Sequence, residues 1–144
     1  ALVTLPLARD EGDSGTVAHD KNRAAVEACV TDYVQGFYTA APERLERALS
    51  KNLKKMGYWK GEGKDAYSDA LHMTYDEAIA LSKTWNNEGQ QGDDLAFEVT
   101  IFEVVDKTAC AKVTAKWGMD YFQLAKEGDA WKIHHVLWQS APPR

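Results

Sequence analysis

Asp120-Tyr121-Phe122-Gln123-Leu124-Ala125-Lys126-Glu127-Gly128-Asp129-Ala130-Trp131-Lys132-Ile133-His134-His135-Val136-Leu137-Trp138 is the stretch whose reading decides the fold. Asp120, Phe122 and Leu124 alternate with Tyr121, Gln123 and Ala125. Trp131, Ile133, His135 and Leu137 alternate with Lys132, His134, Val136 and Trp138. Period two is the signature of a strand with one buried face. The turn residues Glu127-Gly128-Asp129 leave room for little but a tight reversal, so the two runs form an antiparallel hairpin.

Upstream the pattern continues. Ala109, Ala111, Val113, Ala115 and Trp117 alternate with Cys110, Lys112, Thr114 and Lys116 until Gly118 interrupts them. Leu95 to Val105 carries Phe97, Val99 and Ile101 on one face and turns at Asp106-Lys107. Short turns between consecutive strands predict an antiparallel meander. A sheet of this length must twist and curl.

The first half is helical. Val26, Cys29, Val30, Tyr33, Val34 and Phe37 recur at helical spacing, which predicts a long amphipathic helix from an Asp20 cap to Tyr38. Gly36 weakens it by up to about 1 kcal/mol relative to Ala and suits close approach by a neighbour. Pro42 opens a short second helix through Leu49, with Glu43 and Arg47 in the favourable i,i+4 order. Lys55 to Lys60 and Ala66 to Met73 read as a short hairpin about the turn Gly61–Lys64. Thr74-Tyr75-Asp76-Glu77 is a capping box opening a third helix that stops near Asn86–Gly89. The expected plan is α+β, three N-terminal helices packed on a curved antiparallel sheet.

The chain of 144 residues suits one domain. We expect a flexible leader over 1–19, the domain over 20–140 and a tail over 141–144. The apolar start, Ala1 to Ala8, reads as the end of a secretory signal, as a short strand or as an unstructured arm, and leaves an exported or cytoplasmic origin open. No run approaches the roughly 20 apolar residues of a membrane span. With a net charge of −5 and scattered Lys and Arg apart from Lys51, Lys54 and Lys55, the chain lacks the basic face that nucleic-acid binding needs. Cys29 and Cys110 make no zinc pattern and read as two free buried thiols, on faces too far apart to bridge.

The run Asp120–Lys126 followed by Trp131-Lys132-Ile133 resembles the closing hairpin of nuclear transport factor 2-like proteins. It is similar, more narrowly, to the bacterial branch labelled "putative lumazine-binding". Val30, Tyr33, Gly36 and Phe37 on the first helix agree, as does Ala109-Cys110-Ala111-Lys112-Val113. The resemblance covers about Asp20 to Gln139. It implies a cone-shaped cavity between helices and sheet, and pairing of two copies sheet to sheet. It does not imply one activity, because the superfamily holds isomerases, dehydratases, cyclases, epoxide hydrolases and non-catalytic binding domains.

Strand parity nominates what lines such a cavity. Trp131, Ile133 and His135 share a face, as do Asp120 and Phe122 on the partner strand, which sets Asp120 diagonal to His135. A carboxylate and an imidazole in an apolar cavity suit general acid–base work. Tyr33 from the first helix and Tyr58 from the first strand would orient a carbonyl or hydroxyl. Phe37, Phe122 and Trp131 would supply aromatic wall, and His72 the mouth. Set against this, a buried Asp–His pair can satisfy itself, and Asp120 can tie down the Gly118 bend. The expectation is a binding protein for a small apolar or aromatic molecule, without cofactor or metal. The alternative is a cofactor-free lyase, isomerase or hydrolase using Asp120 and His135. Tyr121, Val136 and Trp138 are expected on the outer face, where that much apolar surface predicts a homodimer.

Overall fold

The computed structural model describes residues 13–142. Three helices, α1 (Asp13–Tyr38), α2 (Pro42–Ala48) and α3 (Tyr75–Ser82), accompany six strands: β1 (Leu49–Tyr58), β2 (Leu71–Met73), β3 (Glu98–Val104), β4 (Thr108–Ala115), β5 (Gly118–Glu127) and β6 (Ala130–Ser140). The sheet order is β2-β1-β6-β5-β4-β3.

The expected meander is present as β3 to β6, paired antiparallel throughout. The sheet is nevertheless mixed, because β1 runs parallel to β6. β1 follows the helical segment and reaches β6 from the far end of the chain, a pairing that no local turn encodes. The expected return strand shrinks to β2, which pairs with β1 over Lys55–Gly57.

α1 begins at Asp13, ahead of the expected Asp20 cap, so the part of the expected leader from residue 13 onward is helical. Residues 1–12 and 143–144 lie outside the described residues. The helix turns earn burial only from Val26 onward, where Val26, Val30, Tyr33, Val34 and Phe37 sink into the core. Gly36 is used as expected: a Cβ there would lie 1.9 Å from Leu45 Cδ1, so the glycine admits α2. Pro42 stands at the first turn of α2, and Glu43 supplies the acidic residue there. Thr74 caps α3, accepting from the Glu77 amide at 3.2 Å while the Glu77 carboxylate accepts from the Thr74 amide at 3.4 Å.

One irregularity governs the inner face of the sheet. Leu124 pairs with Ile133, yet the neighbouring Gln123 pairs with His135, so His134 is an extra residue in β6. Beyond it the parity reverses. Trp131 and Ile133 are buried, then Val136 is buried in place of His135, and His135 and Leu137 are exposed.

Candidate functional site

The inner face of β5 carries Asp120, Phe122 and Leu124, all buried. Asp120 pairs with Val113 on β4 and Trp138 on β6. Alternation in β1 puts Leu53, Lys55 and Gly57 inward and Lys54 and Tyr58 outward. Gly57 lies under the Trp138 indole, at 2.0 Å from where a Cβ would stand, so only glycine lets that ring lie across β1. From above, α1 lowers Tyr33 and Phe37 against the same region, edge-on to each other at 5.3 Å.

These elements border a partly open cavity of about 170 Å³. Phe37, Trp85, Trp117 and Trp138 form much of its wall, and Lys55 and Asp120 are its ionisable groups. The rings hold one another: Trp85 meets Trp117 edge-on at 5.3 Å, and Trp117 meets Phe37 at 5.6 Å. The Trp117 indole N–H donates to Asp120 Oδ1 at 2.9 Å. Asp120 Oδ2 is buried and has no hydrogen-bond partner among the described residues. Lys55 Nζ donates to the Tyr33 hydroxyl at 2.6 Å and stands 5.1 Å from the Tyr33 and Phe37 ring centres.

Burial dominates the electrostatics here. It pushes the Asp120 carboxyl above the ordinary carboxylate range, against the opposing pull of the Lys55 charge. It lowers the Lys55 amine, with Asp120 acting the other way. It holds the Tyr33 phenol well above its usual value, and the neighbouring Asp120 charge adds to the effect. The cavity therefore presents an amine and a carboxyl drawn towards their uncharged forms, with the Tyr33 phenol buried behind the amine.

The expected Asp120–His135 pair does not form. Asp120 points inward as parity requires, but the His134 bulge turns His135 to the outer face, where its Nδ1 lies 2.8 Å from Gln123 Oε1. The same reversal carries Val136 and Trp138 inward, against expectation, and Leu137 outward. Phe37 lines the cavity, whereas Tyr33, expected to face a ligand, is fully buried behind Lys55 and is not part of the lining. Tyr58 points outward, and Trp59, one residue on, closes that side of the cavity. His72 is exposed on β2 and lines a separate outer hollow with His135, Tyr121 and Leu137. Phe122 is core beneath Tyr33, with ring centres 5.0 Å apart. Trp131 is buried away from the cavity, its indole N–H donating to Asn22 Oδ1 at 3.3 Å. Cys29 is buried as expected but Cys110 is exposed, and both are free. Sequence reasoning missed Lys55 as a site residue. The available signal was the alternation Leu53, Lys55, Gly57, which places this lysine on a strand's apolar face.

A family model described as "Putative lumazine-binding" matches residues 21–139. No curated protein matches the chain in sequence. Among solved structures, the chain is similar to a nuclear transport factor 2-like protein of unknown function from Silicibacter pomeroyi, with TM-score 0.64 and 20% identity over 84% of this chain and 97% of that one. It is similar also to one of unknown function from Shewanella baltica, with TM-score 0.64 and 14% identity over 87% and 98%. A third, described as "Putative Scytalone Dehydratase" from Novosphingobium aromaticivorans, has TM-score 0.57 and 14% identity over 88% and 89%. At these identities the likeness is one of fold, the nuclear transport factor 2-like fold.

Proposed function

The chain belongs to the family described as "Putative lumazine-binding", and from that premise we propose that it binds a small planar aromatic molecule in the cavity between α1 and the sheet. The observation that carries this reading is the cavity's composition: walls of Phe37, Trp85, Trp117 and Trp138, and two ionisable side chains, Lys55 and Asp120. Apolar walls with a few convergent polar groups are what ligand sites present. At about 170 Å³ the space is below the roughly 300–1,000 Å³ of drug-sized pockets, which suits an occupant of one or two fused rings. Asp120 Oδ2 offers an unused acceptor and Lys55 a donor, so a ring carrying N–H and C=O groups satisfies both.

The test is tryptophan fluorescence and calorimetric titration with lumazine, a bicyclic ring of this kind. Saturable quenching that weakens in Trp138→Ala and Asp120→Asn variants supports the reading. No heat and no quenching at millimolar lumazine, or binding indifferent to both substitutions, overturns it.

A second reading is a cofactor-free lyase or isomerase in which Asp120 moves a proton. It is favoured by the raised, half-unpartnered Asp120 carboxyl facing a ligand-sized space. Lys55 and Tyr33, rather than an imidazole, are the groups beside it.

We also propose that two copies pair through the outer face of the sheet. Tyr121 and Leu137 stand exposed side by side across β5 and β6, next to Met56 of β1. This apolar row supports the pairing.

A further inference from the structure

We propose that Lys55 captures aromatic aldehydes or ketones as a Schiff base inside the cavity. The inference rests on the cavity's being a ligand site, and adds a covalent step to it.

Three placements support it. First, the Lys55 side chain is buried and ends among aromatic rings, with Nζ 5.1 Å from the Phe37 and Tyr33 ring centres. Lys51 and Lys54 are exposed to solvent, whereas the Lys55 amine is desolvated, which favours the lone pair. Second, the Tyr33 hydroxyl accepts one Nζ hydrogen at 2.6 Å and thereby fixes the direction of the amine. Tyr33 is a positioning residue. Third, Asp120 lines the same cavity, with Oδ1 tied to Trp117 and Oδ2 free of any partner among the described residues. Burial shifts both groups in the useful direction, the amine down and the carboxyl up.

The step balances with no external reagent. The neutral Nζ lone pair attacks the carbonyl carbon, the C–N bond forms, and the C=O pair moves to oxygen. One proton passes from nitrogen to that oxygen, giving the carbinolamine. The Asp120 carboxyl gives its proton to the hydroxyl, the C–O bond breaks and water leaves as the nitrogen pair closes C=N. The iminium then returns its remaining N–H proton to the Asp120 carboxylate. The sum is amine plus carbonyl to imine plus water. Phe37, Trp117 and Trp138 accommodate the aryl group, and the cavity's size suits one or two rings.

The experiment uses the whole chain with benzaldehyde and cyanoborohydride at neutral pH, followed by digestion and mass spectrometry. The expected result is a single benzyl group at Lys55, added before any at Lys51 or Lys54. Asp120→Asn should slow the labelling of Lys55 several-fold relative to that of Lys51 and Lys54 in the same chain. Saturating benzyl alcohol should protect Lys55. If benzyl alcohol binds but Lys55 labels no faster than the surface lysines, the Schiff base is wrong and the cavity stands. If neither compound binds, the cavity reading itself fails. Lys55→Met serves as the blank for the assignment, and where it does not fold, protection by benzyl alcohol decides alone.

Discussion

Lys55 Nζ donates to the Tyr33 hydroxyl across 2.6 Å inside a core made mostly of rings and aliphatic chains. A lysine from β1 and a tyrosine from α1 thus meet where the sheet and helix layers close on each other. Asp120 is the third member, coupled to Lys55 by charge and to Tyr33 by proximity. A buried polar set of this kind is costly unless its members compensate one another.

That coupling can be measured. Lys55→Met leaves Asp120 without its basic neighbour, and Asp120→Asn leaves Lys55 without its acidic one. Each single variant should lower the urea midpoint, and the double variant should recover part of the loss. We expect a coupling energy of about 0.5–3 kcal/mol from the double-mutant cycle. Strict additivity would show that the two groups do not interact in the folded state.

Asp120 also sets a pH dependence of unusual sign. Its folded pKa is raised by burial, whereas in the unfolded chain it returns to an ordinary carboxylate. The fold therefore favours the protonated form. The resulting stabilisation is present below the unfolded value and is lost as pH rises through the raised folded value. Urea midpoints of the native chain and Asp120→Asn, compared from about pH 4 to about pH 7, should show the native chain losing ground to the variant as pH rises. A gap that stays constant or widens in the native chain's favour as pH rises would contradict this.

Trp117 and His135 separate the inner face from the outer. Trp117→Phe keeps the ring packing but removes the donor to Asp120 Oδ1, leaving a buried carboxyl oxygen unpaired. A cost of about 1–3 kcal/mol is expected. His135→Ala removes only an exposed contact with Gln123, so stability should change by less than about 0.5 kcal/mol and lumazine quenching should not change. Denaturation and titration of the two variants side by side check both statements.

The hairpin of β5 and β6, the meander before it, the α1 stripe and the Thr74 cap were all legible because each rests on a local signal, namely period, turn chemistry or capping. What was not legible depends on register or on distant pairing. Nothing in His134-His135 marks His134 as an extra residue, so counting by twos from Ile133 carried His135 to the wrong face and left Val136 and Trp138 outside. Lys55 was read with Lys51 and Lys54 as part of a basic run. The alternation Leu53, Lys55, Gly57 gives its face locally, but that this face meets α1 and Asp120 follows only once β1 is placed against β6, a pairing across most of the chain. Asp120 was found because it precedes the bulge in the hairpin and its parity is fixed by Phe122 and Leu124.

The two thiols should react very differently. Cys110 is exposed on the outer face of β4 and should be labelled by a disulfide reagent in the native protein within the first phase. Cys29 is buried, its Sγ within 3.4 Å of the Ala48 and Trp131 carbonyl oxygens, and burial pushes its pKa up to about 12. It should be labelled only on unfolding, bringing the total to two free thiols per chain. Two fast thiols, or none in denaturant, would contradict this placement.

The outer face gives the last prediction. Tyr121 and Leu137 are partners across β5 and β6, and 43% and 47% of their surfaces are exposed. Met56 of β1 pairs with Leu137 on the other side, so an apolar row crosses three strands. The sign of the row matters more than its length, because Val136 and Trp138 have been drawn inward and contribute nothing to it. If two copies pair here, a charge at its centre must be buried or must separate them. Leu137→Glu should therefore shift a sedimenting dimer to monomer at micromolar concentration. Ligand quenching should survive, because the cavity lies on the opposite face of the sheet. Val136→Ala is the control: its side chain is buried in the core, so loss of its two methyl groups should lower stability by about 1–3 kcal/mol without changing the association state. A native chain that sediments only as a monomer, or a Leu137→Glu dimer indistinguishable from the native one, would remove the outer face as the interface.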